Sequence, residues 1–306
     1  MLEDIVKINE LSHKYSKDWA VKDISFEIKT HGILGLLGSN GAGKSTTMNI
    51  LCGVLNQTKG EVTIGGIDIQ KKPVEAKKKI GFLPQKAPLH LDLTVDEYLT
   101  HCAHLRRMKP LEVKPALEKV KDRCGIAHYS KRLLRNLSGG YQQRVGIAQA
   151  IIHDPMLVVF DEPTNGLDPV QIVEVRKLIK EIGRDRTVIL STHILSEVQA
   201  ICDEIKMIEK GKLVFSGTLQ EFNNYLEPDT LVVTMGACPP IDELEAIPGV
   251  IQVNSIDKNT LRIKYEKDIN ETIVEKSIEK RWRLKEIYVE KNSLDDIFAK
   301  LSQENL

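Results

Sequence analysis

The chain has 306 residues, of which 42% are hydrophobic and 28% are charged, as in an ordinary globular protein of one large or two modest domains. Its 43 basic residues balance 43 acidic ones, which argues against nucleic acid as the main partner, because binding phosphates needs a surplus of Lys and Arg. Five scattered cysteines without a C-x-x-C pair favour a reducing compartment over a disulfide framework, and no stretch approaches the ~20 apolar residues that span a bilayer.

The first half of the chain alternates between predicted strands and helices. Residues 5–9 and 24–28 alternate apolar and polar side chains, which predicts half-buried strands. Residues 33–37 are nearly all apolar, as in a strand that is covered on both faces, and a glycine-rich loop and a helical pattern follow them. Residues 88–136 are predicted to be mostly helical, with a capping box that begins at Thr94.

Two later apolar runs, 156–160 and 187–192, predict buried strands. Between them, Asp168 and Pro169 are typical of a helix start, and Gly183 is typical of a helix end. Strands that alternate with helices imply a largely parallel sheet, so the predicted fold class is α/β.

A change of composition after Gly217 predicts a second domain. Residues 1–217 form the first predicted domain, and residues 218–230, which are polar and contain a proline, are predicted to be a linker. Residues 231–306 predict the order strand, helix, strand, strand, helix, strand, followed by a terminal helix that Ser293 and Asp296 are expected to cap. That order is typical of a small α+β ferredoxin-like domain.

The segment "GSNGAGKS" matches the phosphate-binding P-loop pattern G-x-x-x-x-G-K-[ST], with a buried strand before it and a helix after it. Glycines let the backbone N–H groups wrap around phosphates, and the helix N-terminus adds a positive dipole end. Lys44 is expected to reach the β- and γ-phosphates, and the Ser45 hydroxyl is expected to bind Mg²⁺. The predicted nucleotide-binding residues of this loop are Gly38, Ser39, Asn40, Gly41, Ala42, Gly43, Lys44, Ser45 and Thr46.

Four further polar residues follow predicted strands of the same sheet, where we expect them to face the P-loop. Asp161 ends a buried strand, where its carboxylate needs a cation or hydrogen bonds, and Mg²⁺ bound through a water is the natural partner. Glu162 could polarise the attacking water. Gln85 is placed to sense Mg²⁺ and the γ-phosphate, and His193 could hold the γ-phosphate and the pair of Glu162 and water.

The segment "LSGGYQQR", residues 137–144, predicts a second anion-binding helix start. Ser138, Gly139 and Gly140 begin the helix, so their backbone amides lack helical partners and point outward. The chain's own P-loop already accounts for one triphosphate. A second phosphate-binding helix end is therefore best explained if it serves the nucleotide of another copy, with two chains facing head to tail.

These motifs together resemble those of the ATP-binding subunits of ABC transporters. The resemblance covers residues 1 to about 217 and rests on the P-loop, Gln85, "LSGGYQQR", "LVVFDEP", "NGLD" at 165–168 and His193. It implies a P-loop ABC ATPase cassette: a mainly parallel sheet, an antiparallel β part and a helical subdomain at about 88–150. It also implies ATP and Mg²⁺ as cofactors and catalytic roles for Glu162, His193, Gln85 and Lys44.

The resemblance implies partners as well. Two ATPase subunits would enclose two ATP molecules, with Tyr15 or alternatively Trp19 stacking on adenine and Asp168 coupling the two sites. This chain carries both halves of such a shared site intact, which favours a homodimer over pairing with a second ATPase. The helical segment would contact a separate integral membrane permease, which would hold the chain peripherally at the cytoplasmic face of the membrane. The C-terminal "NSLDDIFAKL" resembles the tail of export-type ATPases from bacterial drug, antibiotic and sodium efflux systems.

Some features depart from this family or suggest other functions. The proline that usually follows the first P-loop glycine is Ser39, and the usual Gly-Glu before the strand is His31-Gly32. A soluble ABC ATPase acting on DNA or ribosomes is the second hypothesis, but such proteins usually carry two cassettes or a long coiled coil. A P-loop kinase or GTPase is the third, and it would have no use for the signature helix. His101, Cys102 and His104 are expected to be plain helix residues rather than metal ligands. Adjacent positions point to different faces of a helix, so the three cannot all bind one metal ion, and no further ligand is evident.

Overall fold

The computed structural model describes residues 4–226, 228–290 and 294–303. The chain divides into two compact units, one up to residue 219 and one from residue 220 onward. Each unit has its own sheets and its own buried core. None of the helices in these described ranges is long and apolar enough to cross a membrane.

The first unit combines ten strands with seven α-helices among its described residues. The strands are β1 (Val6–Tyr15), β2 (Asp18–Ile28), β3 (Gly32–Leu37), β4 (Lys59–Ile64), β5 (Ile67–Asp68), β6 (Ile80–Leu83), β7 (Leu157–Asp161), β8 (Thr187–Thr192), β9 (Glu204–Glu209) and β10 (Lys212–Thr218). The helices are α1 (Lys44–Leu51), α2 (Pro73–Lys78), α3 (Val95–Leu105), α4 (Pro110–Cys124), α5 (Gly139–Ile151), α6 (Pro169–Gly183) and α7 (Leu195–Ile201). Two short 3₁₀ helices, Ala127–Tyr129 and Leu134–Asn136, lie between α4 and α5.

The central sheet of this unit has the strand order β10-β9-β3-β8-β7-β6. All neighbours are parallel except β9 and β10, which form an antiparallel pair at one edge. Every residue of β7 and β8 is buried, because helices cover both faces of a parallel sheet. The structure therefore confirms the mainly parallel α/β fold that the sequence predicts.

A smaller antiparallel sheet, in the order β2-β1-β4-β5, forms the rest of the first unit's β structure. Its apolar face shares one buried cluster with α1 and the parallel sheet, in which Ile24, Met48 and Val159 all have no exposed surface. Burying a side chain of this size contributes about 1.5–3 kcal/mol. The cluster therefore fixes α1, and with it the loop that precedes α1, against both sheets.

Helices α3, α4 and α5 pack on one another and make up the helical part of this unit. The predicted capping box is present: the Glu97 amide donates to Thr94 Oγ1 at 3.3 Å, and the Thr94 amide donates to Glu97 Oε2 at 2.8 Å. The buried Lys121 of α4 donates to Asp96 at 2.7 Å and to Ser130 at 2.9 Å, which ties α4 to the start of α3.

Helix α8 (Leu219–Asn223) lies within residues 218–230, which the sequence analysis interprets as a linker. Leu219 and Phe222 are one helical turn apart, and Phe222 is fully buried. These two apolar residues form a short stripe on one face of the helix, although the segment as a whole is polar.

The second unit follows the element order that the sequence predicts. Its elements are β11 (Thr230–Met235), α9 (Ile241–Glu245), β12 (Val250–Ser255), β13 (Thr260–Tyr265), α10 (Asn270–Glu279), β14 (Leu284–Glu290) and α11 (Leu294–Gln303). The four strands pair in the order β12-β13-β11-β14, and all neighbours are antiparallel. Buried side chains such as Leu231, Ile273 and Trp282 form its core. Ser293, which the sequence suggests as a cap of the last helix, lies outside the described residues.

Candidate functional site

The glycine-rich loop runs from the end of β3 to the start of α1, and two of its glycines are required by close backbone contacts. A Cβ atom on Gly38 would lie 2.1 Å from the carbonyl oxygen of Ile208. Gly43 has φ +109°, and a Cβ atom there would lie 2.7 Å from the carbonyl oxygen of Ala20. Any larger residue at either position would force the loop away from the sheets.

Lys44, the first residue of α1, is buried and folds back over the loop. Its Nζ donates hydrogen bonds to the carbonyl oxygens of Gly38 at 2.8 Å and Ser39 at 2.9 Å. Burial lowers the pKa of Lys44, and the carboxylates of Glu162 and Asp161 oppose that shift. The ammonium group thus lies at the centre of the loop, beside two carboxylates.

Asp161 is the last residue of β7 and is buried. Burial raises the pKa of Asp161, and hydrogen bonds from hydroxyl groups, including that of Ser45, oppose the shift. A buried carboxylate next to a serine hydroxyl is a set of oxygen donors that suits Mg²⁺, which favours oxygen ligands. The residues present therefore fit the magnesium site that the sequence analysis expects.

Three side chains, from the loops that follow β6, β7 and β8, converge on the Glu162 carboxylate. Nδ1 of His193 donates to Glu162 Oε1 at 2.8 Å, and the Gln85 amide donates to Glu162 Oε2 at 2.8 Å. The Asn165 amide donates to Oε2 at 3.3 Å. Glu162 itself has φ +47°, a conformation that non-glycine residues adopt at an energetic cost and that is common at functional sites.

A cleft of about 470 Å³ joins the glycine-rich loop to these strand ends. The residues that line it are Ala20, Asn40, Gly41, Gly43, Lys44, Ser45, Thr46, Gln85, Glu162, Asn165 and His193. Nine of them are predicted site residues. Asn165 and Ala20 are not: Asn165 lies in the "NGLD" segment without an assigned role, and Ala20 approaches only through the fold. Gly38, Ser39, Ala42 and Asp161 do not line the cleft. The last three are next to residues that do, and the carbonyl oxygen of Gly38 accepts a hydrogen bond from Lys44.

Ser39, where the family usually has proline, is bound to a residue far along the chain. Its hydroxyl donates to Glu209 Oε1 at 2.8 Å, and its backbone N–H donates to Glu209 Oε2 at 3.3 Å. Glu209 ends β9 and is 8% exposed. Proline has neither donor, so this serine satisfies a buried carboxylate that proline would leave with fewer hydrogen bonds.

Tyr15 and Trp19, the two candidates for stacking on adenine, lie at the exposed end of the β1–β2 hairpin. Tyr15 is 52% exposed, and its ring meets that of His13 edge-on at 4.7 Å. Trp19 is 40% exposed, with the ammonium groups of Lys14 and Lys59 each 5.8 Å from its ring centre. Neither aromatic ring lines the cleft, so adenine stacking stays a prediction for both.

The predicted signature helix begins as expected but lies outside the cleft of its own chain. Ser138 is the N-cap of α5 and is exposed, and its side chain makes no capping hydrogen bond. A Cβ atom on Gly139 would meet nothing within 4 Å, whereas one on Gly140 would lie 2.6 Å from Gln171. Packing within this chain therefore explains why residue 140 is glycine but does not explain Gly139.

Known proteins share these sequence features and this fold. The sequence model of the family described as ABC transporter matches residues 21–165. The bacitracin transport ATP-binding protein of Bacillus licheniformis is 32% identical over 312 residues, and the alignment covers 98% of each chain. The linearmycin resistance ATP-binding protein of Bacillus subtilis (strain 168) is 34% identical over 266 residues, which cover 85% of this chain and 84% of that one.

Solved structures agree with the sequence comparison. The ATP-binding subunit of an ABC transporter superposes with a TM-score of 0.66 and 26% identity, over 72% of this chain and 92% of that one. An ATP-binding cassette, solved as a dimer in a post-hydrolysis state with ADP and Pi, has a TM-score of 0.63 and 25% identity over 70% of this chain and 98% of that one. The order of motifs, the cleft and these relatives lead to one conclusion. The chain belongs to the ATP-binding subunits of ABC transporters and is an ATPase.

Proposed function

We propose that two copies of this chain close around two ATP molecules and that hydrolysis reopens them, driving export of a substrate through a separate membrane permease. The observation that carries the proposal is the convergence of Gln85, Asn165 and His193 on the Glu162 carboxylate, in the same cleft as Lys44. That arrangement offers a cation and backbone amides for phosphates at one end and a held carboxylate at the other.

In this proposal the loop around Lys44 binds the triphosphate, and Ser45, Asp161 and Gln85 hold Mg²⁺. The ammonium group would exchange its hydrogen bonds to Gly38 and Ser39 for bonds to the β- and γ-phosphate oxygens. When bound with ATP, Mg²⁺ held by these residues would supply positive charge that offsets the charge of the triphosphate.

Glu162 is the proposed general base. A water attacks the γ-phosphorus, Glu162 takes the water's proton, and the bond to the bridging oxygen breaks, so that ADP and phosphate leave. The hydrogen bonds from His193 and Gln85 support this role, because they hold the carboxylate in the cleft that Lys44 also lines. A positioned base of this kind contributes about 10²–10⁴-fold in rate.

The second copy is proposed to supply Ser138, Gly139 and Gly140 to the phosphates, and Asp168 would couple the two sites. The open space around Gly139 and the exposed Ser138 side chain support this part of the proposal, because no described residue of the same chain occupies the space beside Gly139. Tyr15 at the hairpin end is the proposed adenine platform, and its exposure leaves a face free for stacking.

A membrane permease is the proposed partner, with the chain held at the cytoplasmic face of the membrane. The relatives named for bacitracin transport and linearmycin resistance support an export role, because both alignments extend beyond the cassette into the C-terminal unit. Co-purification of an integral membrane protein with the chain from detergent-solubilised membranes would support this assignment. Recovery of ribosomes or DNA instead would favour a soluble ABC ATPase.

Trapping of the dimer tests the central claim. We expect Glu162→Gln to bind ATP normally, to lose nearly all turnover, and to form a stable dimer with two ATP bound, because the amide keeps the size and one acceptor oxygen of the carboxylate but cannot take up the proton. Light scattering with bound-nucleotide analysis measures both. Lys44→Ala in the Glu162→Gln chain is the control and should stay monomeric. Wild-type turnover by Glu162→Gln, or a strict monomer at saturating ATP with the permease present, would refute the proposal.

A further inference from the structure

A buried glutamate, Glu197, lies near the site without lining the cleft. It belongs to α7 and is 1% exposed. An ionised carboxylate is costly to bury unless hydrogen bonds or a cation satisfy it. Its contacts therefore indicate which parts of the fold it serves.

The Glu197 carboxylate accepts hydrogen bonds from two threonine hydroxyls and faces one arginine. Thr192 Oγ1 donates to Oε2 at 2.8 Å, and Thr164 Oγ1 donates to Oε1 through a short hydrogen bond. Nη2 of Arg176, on α6, lies 3.5 Å from Oε1. Both threonines are almost fully buried, so water does not compete for these hydroxyls.

The two threonines flank the residues that converge in the cleft. Thr164 comes two residues after Glu162, and Thr192 comes directly before His193. The Thr192 hydroxyl also accepts the backbone N–H of Ile194 at 3.0 Å, so the chain turns around His193 at this point. One carboxylate thus ties together the loop that carries Glu162 and the loop that carries His193.

We infer that Glu197 is a positioning residue for ATP hydrolysis, which sets the approach of His193 to Glu162 through Thr192 and Thr164. This inference rests on the proposed roles of Glu162 and His193. Each threonine donates to a different carboxylate oxygen, so both loops are held from one rigid point on α7. The 2.8 Å contact between His193 Nδ1 and Glu162 Oε1 lies directly between these two anchored loops.

The geometry predicts a loss of turnover without a loss of ATP binding. The phosphate loop has no contact with Glu197 among the hydrogen bonds of the described residues, so the KM for ATP is expected to stay unchanged while kcat falls. In the full-length chain, Thr192→Val keeps the size of the side chain but removes the hydroxyl, and it should lower kcat by about 10-fold to 100-fold. Thr192→Ser keeps the hydroxyl and should restore most of the rate.

A matched control lies on the same strand. Thr187, at the other end of β8, is 1% exposed and donates to the carbonyl oxygen of Thr30 at 3.2 Å. Thr187→Val removes an equally buried hydroxyl far from His193 and should leave kcat within about 2-fold of wild type. Glu197→Gln, which keeps one acceptor oxygen and replaces the other with a donor, should lower kcat as Thr192→Val does, again at constant KM.

A double-mutant cycle separates positioning from general destabilisation. If Thr192 acts through His193, then Thr192→Val should change kcat by less than about 2-fold in a His193→Ala chain. The inference would be overturned if Thr192→Val lowered kcat in the His193→Ala chain by the same factor as in wild type. A wild-type kcat for Thr192→Val alone would also overturn it. A wild-type kcat for His193→Ala alone would overturn the proposed function and this inference with it, so the two failures are distinguishable.

Discussion

At the scale of single residues, Ser39 shows how one substitution within a motif changes the neighbourhood of a phosphate loop. Its hydroxyl and its N–H both bind the Glu209 carboxylate, which is 8% exposed. Glu209 also lies close enough to Lys44 to affect it electrostatically. The contact with Ser39 therefore fixes the position of the Glu209 carboxylate beside the site. Proline at this position would remove both donors.

We predict that Ser39→Ala lowers the free energy of unfolding of the nucleotide-free chain by about 1–3 kcal/mol, because it removes a hydrogen bond to a buried charge. Urea unfolding followed by circular dichroism measures the change. The partner variant is Glu209→Gln, and the two losses should not add in the double variant, since they report one contact. Additive losses would show that Ser39 stabilises the chain by some other route.

His153, two residues after the end of α5, makes stability depend on pH. Its Nε2 lies 3.0 Å from the carbonyl oxygen of Ile80, while its buried Nδ1 has no partner among the described residues. Burial, reinforced by the Arg106 cation, lowers the pKa of His153 to about 4, from an ordinary value of 6.5. The unfolded chain therefore takes up this proton at a higher pH than the folded chain does.

Because the unfolded chain binds the His153 proton at a higher pH than the folded chain does, acid destabilises the folded chain. Stability from His153 is fully present above pH 6.5 and is lost as the pH falls towards about 4, where the folded state also binds the proton. Between pH 7 and pH 5 we predict that wild type loses about 2 kcal/mol more than His153→Gln does. Urea unfolding at both pH values measures the difference, and the exposed His104→Gln is the control. Equal losses in wild type and His153→Gln would contradict the prediction.

At the scale of elements, the two glycines that begin α5 differ in what packing within the chain requires of them. Gly139 and Gly140 are adjacent, yet a Cβ atom would have open space at the first and would press against Gln171 at the second. Alanine in a helix is favoured over glycine by roughly 0.5–1 kcal/mol, because glycine loses more backbone freedom on folding. The first glycine of this helix thus has no stabilising purpose within its own chain.

We predict that Gly139→Ala leaves the free energy of unfolding unchanged or raises it by up to about 1 kcal/mol. ATP turnover should nevertheless fall by about 10-fold or more, because the added methyl group would occupy the space that the phosphates of ATP bound to the second copy need. Gly140→Ala is the comparison, and it should lower stability because Gln171 must move. Thermal unfolding and steady-state ATPase assays measure both effects. If Gly139→Ala hydrolysed ATP at the wild-type rate, the helix start would not face a phosphate.

The order of the parallel strands explains why the site residues lie at one edge of the sheet. Strands β6, β7 and β8 are parallel neighbours, so the residues that follow them emerge at one edge of the sheet. Gln85, Glu162 and His193 follow these three strands and meet at hydrogen-bonding distance. Residues that lie far apart in the sequence become neighbours through strand order alone.

At the scale of the whole molecule, each cleft is expected to be completed by a second copy. Of the residues predicted to bind nucleotide, the four that do not belong to the glycine-rich loop, Tyr15, Ser138, Gly139 and Gly140, all lie outside the cleft lining of their own chain. A head-to-tail pair would place the signature helix of one copy over the phosphate loop of the other. In such a pair, two chains with defects in different motifs are expected to compensate for each other.

We predict that Lys44→Ala and Gly139→Asp chains are each inactive alone and regain part of the ATPase activity when mixed. In the mixed dimer, one site joins the intact loop of the Gly139→Asp chain to the intact helix of the Lys44→Ala chain. Steady-state hydrolysis at a fixed total concentration measures the recovery, and each variant mixed with itself is the control. A mixture that hydrolyses ATP no faster than the sum of its parts would argue against shared sites.

The sequence by itself determined the parallel α/β fold, the phosphate loop and the residues that follow β6, β7 and β8. These depend on local patterns: apolar runs for buried strands, glycine spacing for the loop, and polar residues at strand ends. Only the tertiary structure decided which distant residues meet. The bond between Ser39 and Glu209 joins positions 170 residues apart, and Glu197 joins two loops through Thr164 and Thr192. Periodicity shows that a strand is buried but not which strands lie beside it, so contacts set by the order β9-β3-β8-β7 could not be derived from the sequence.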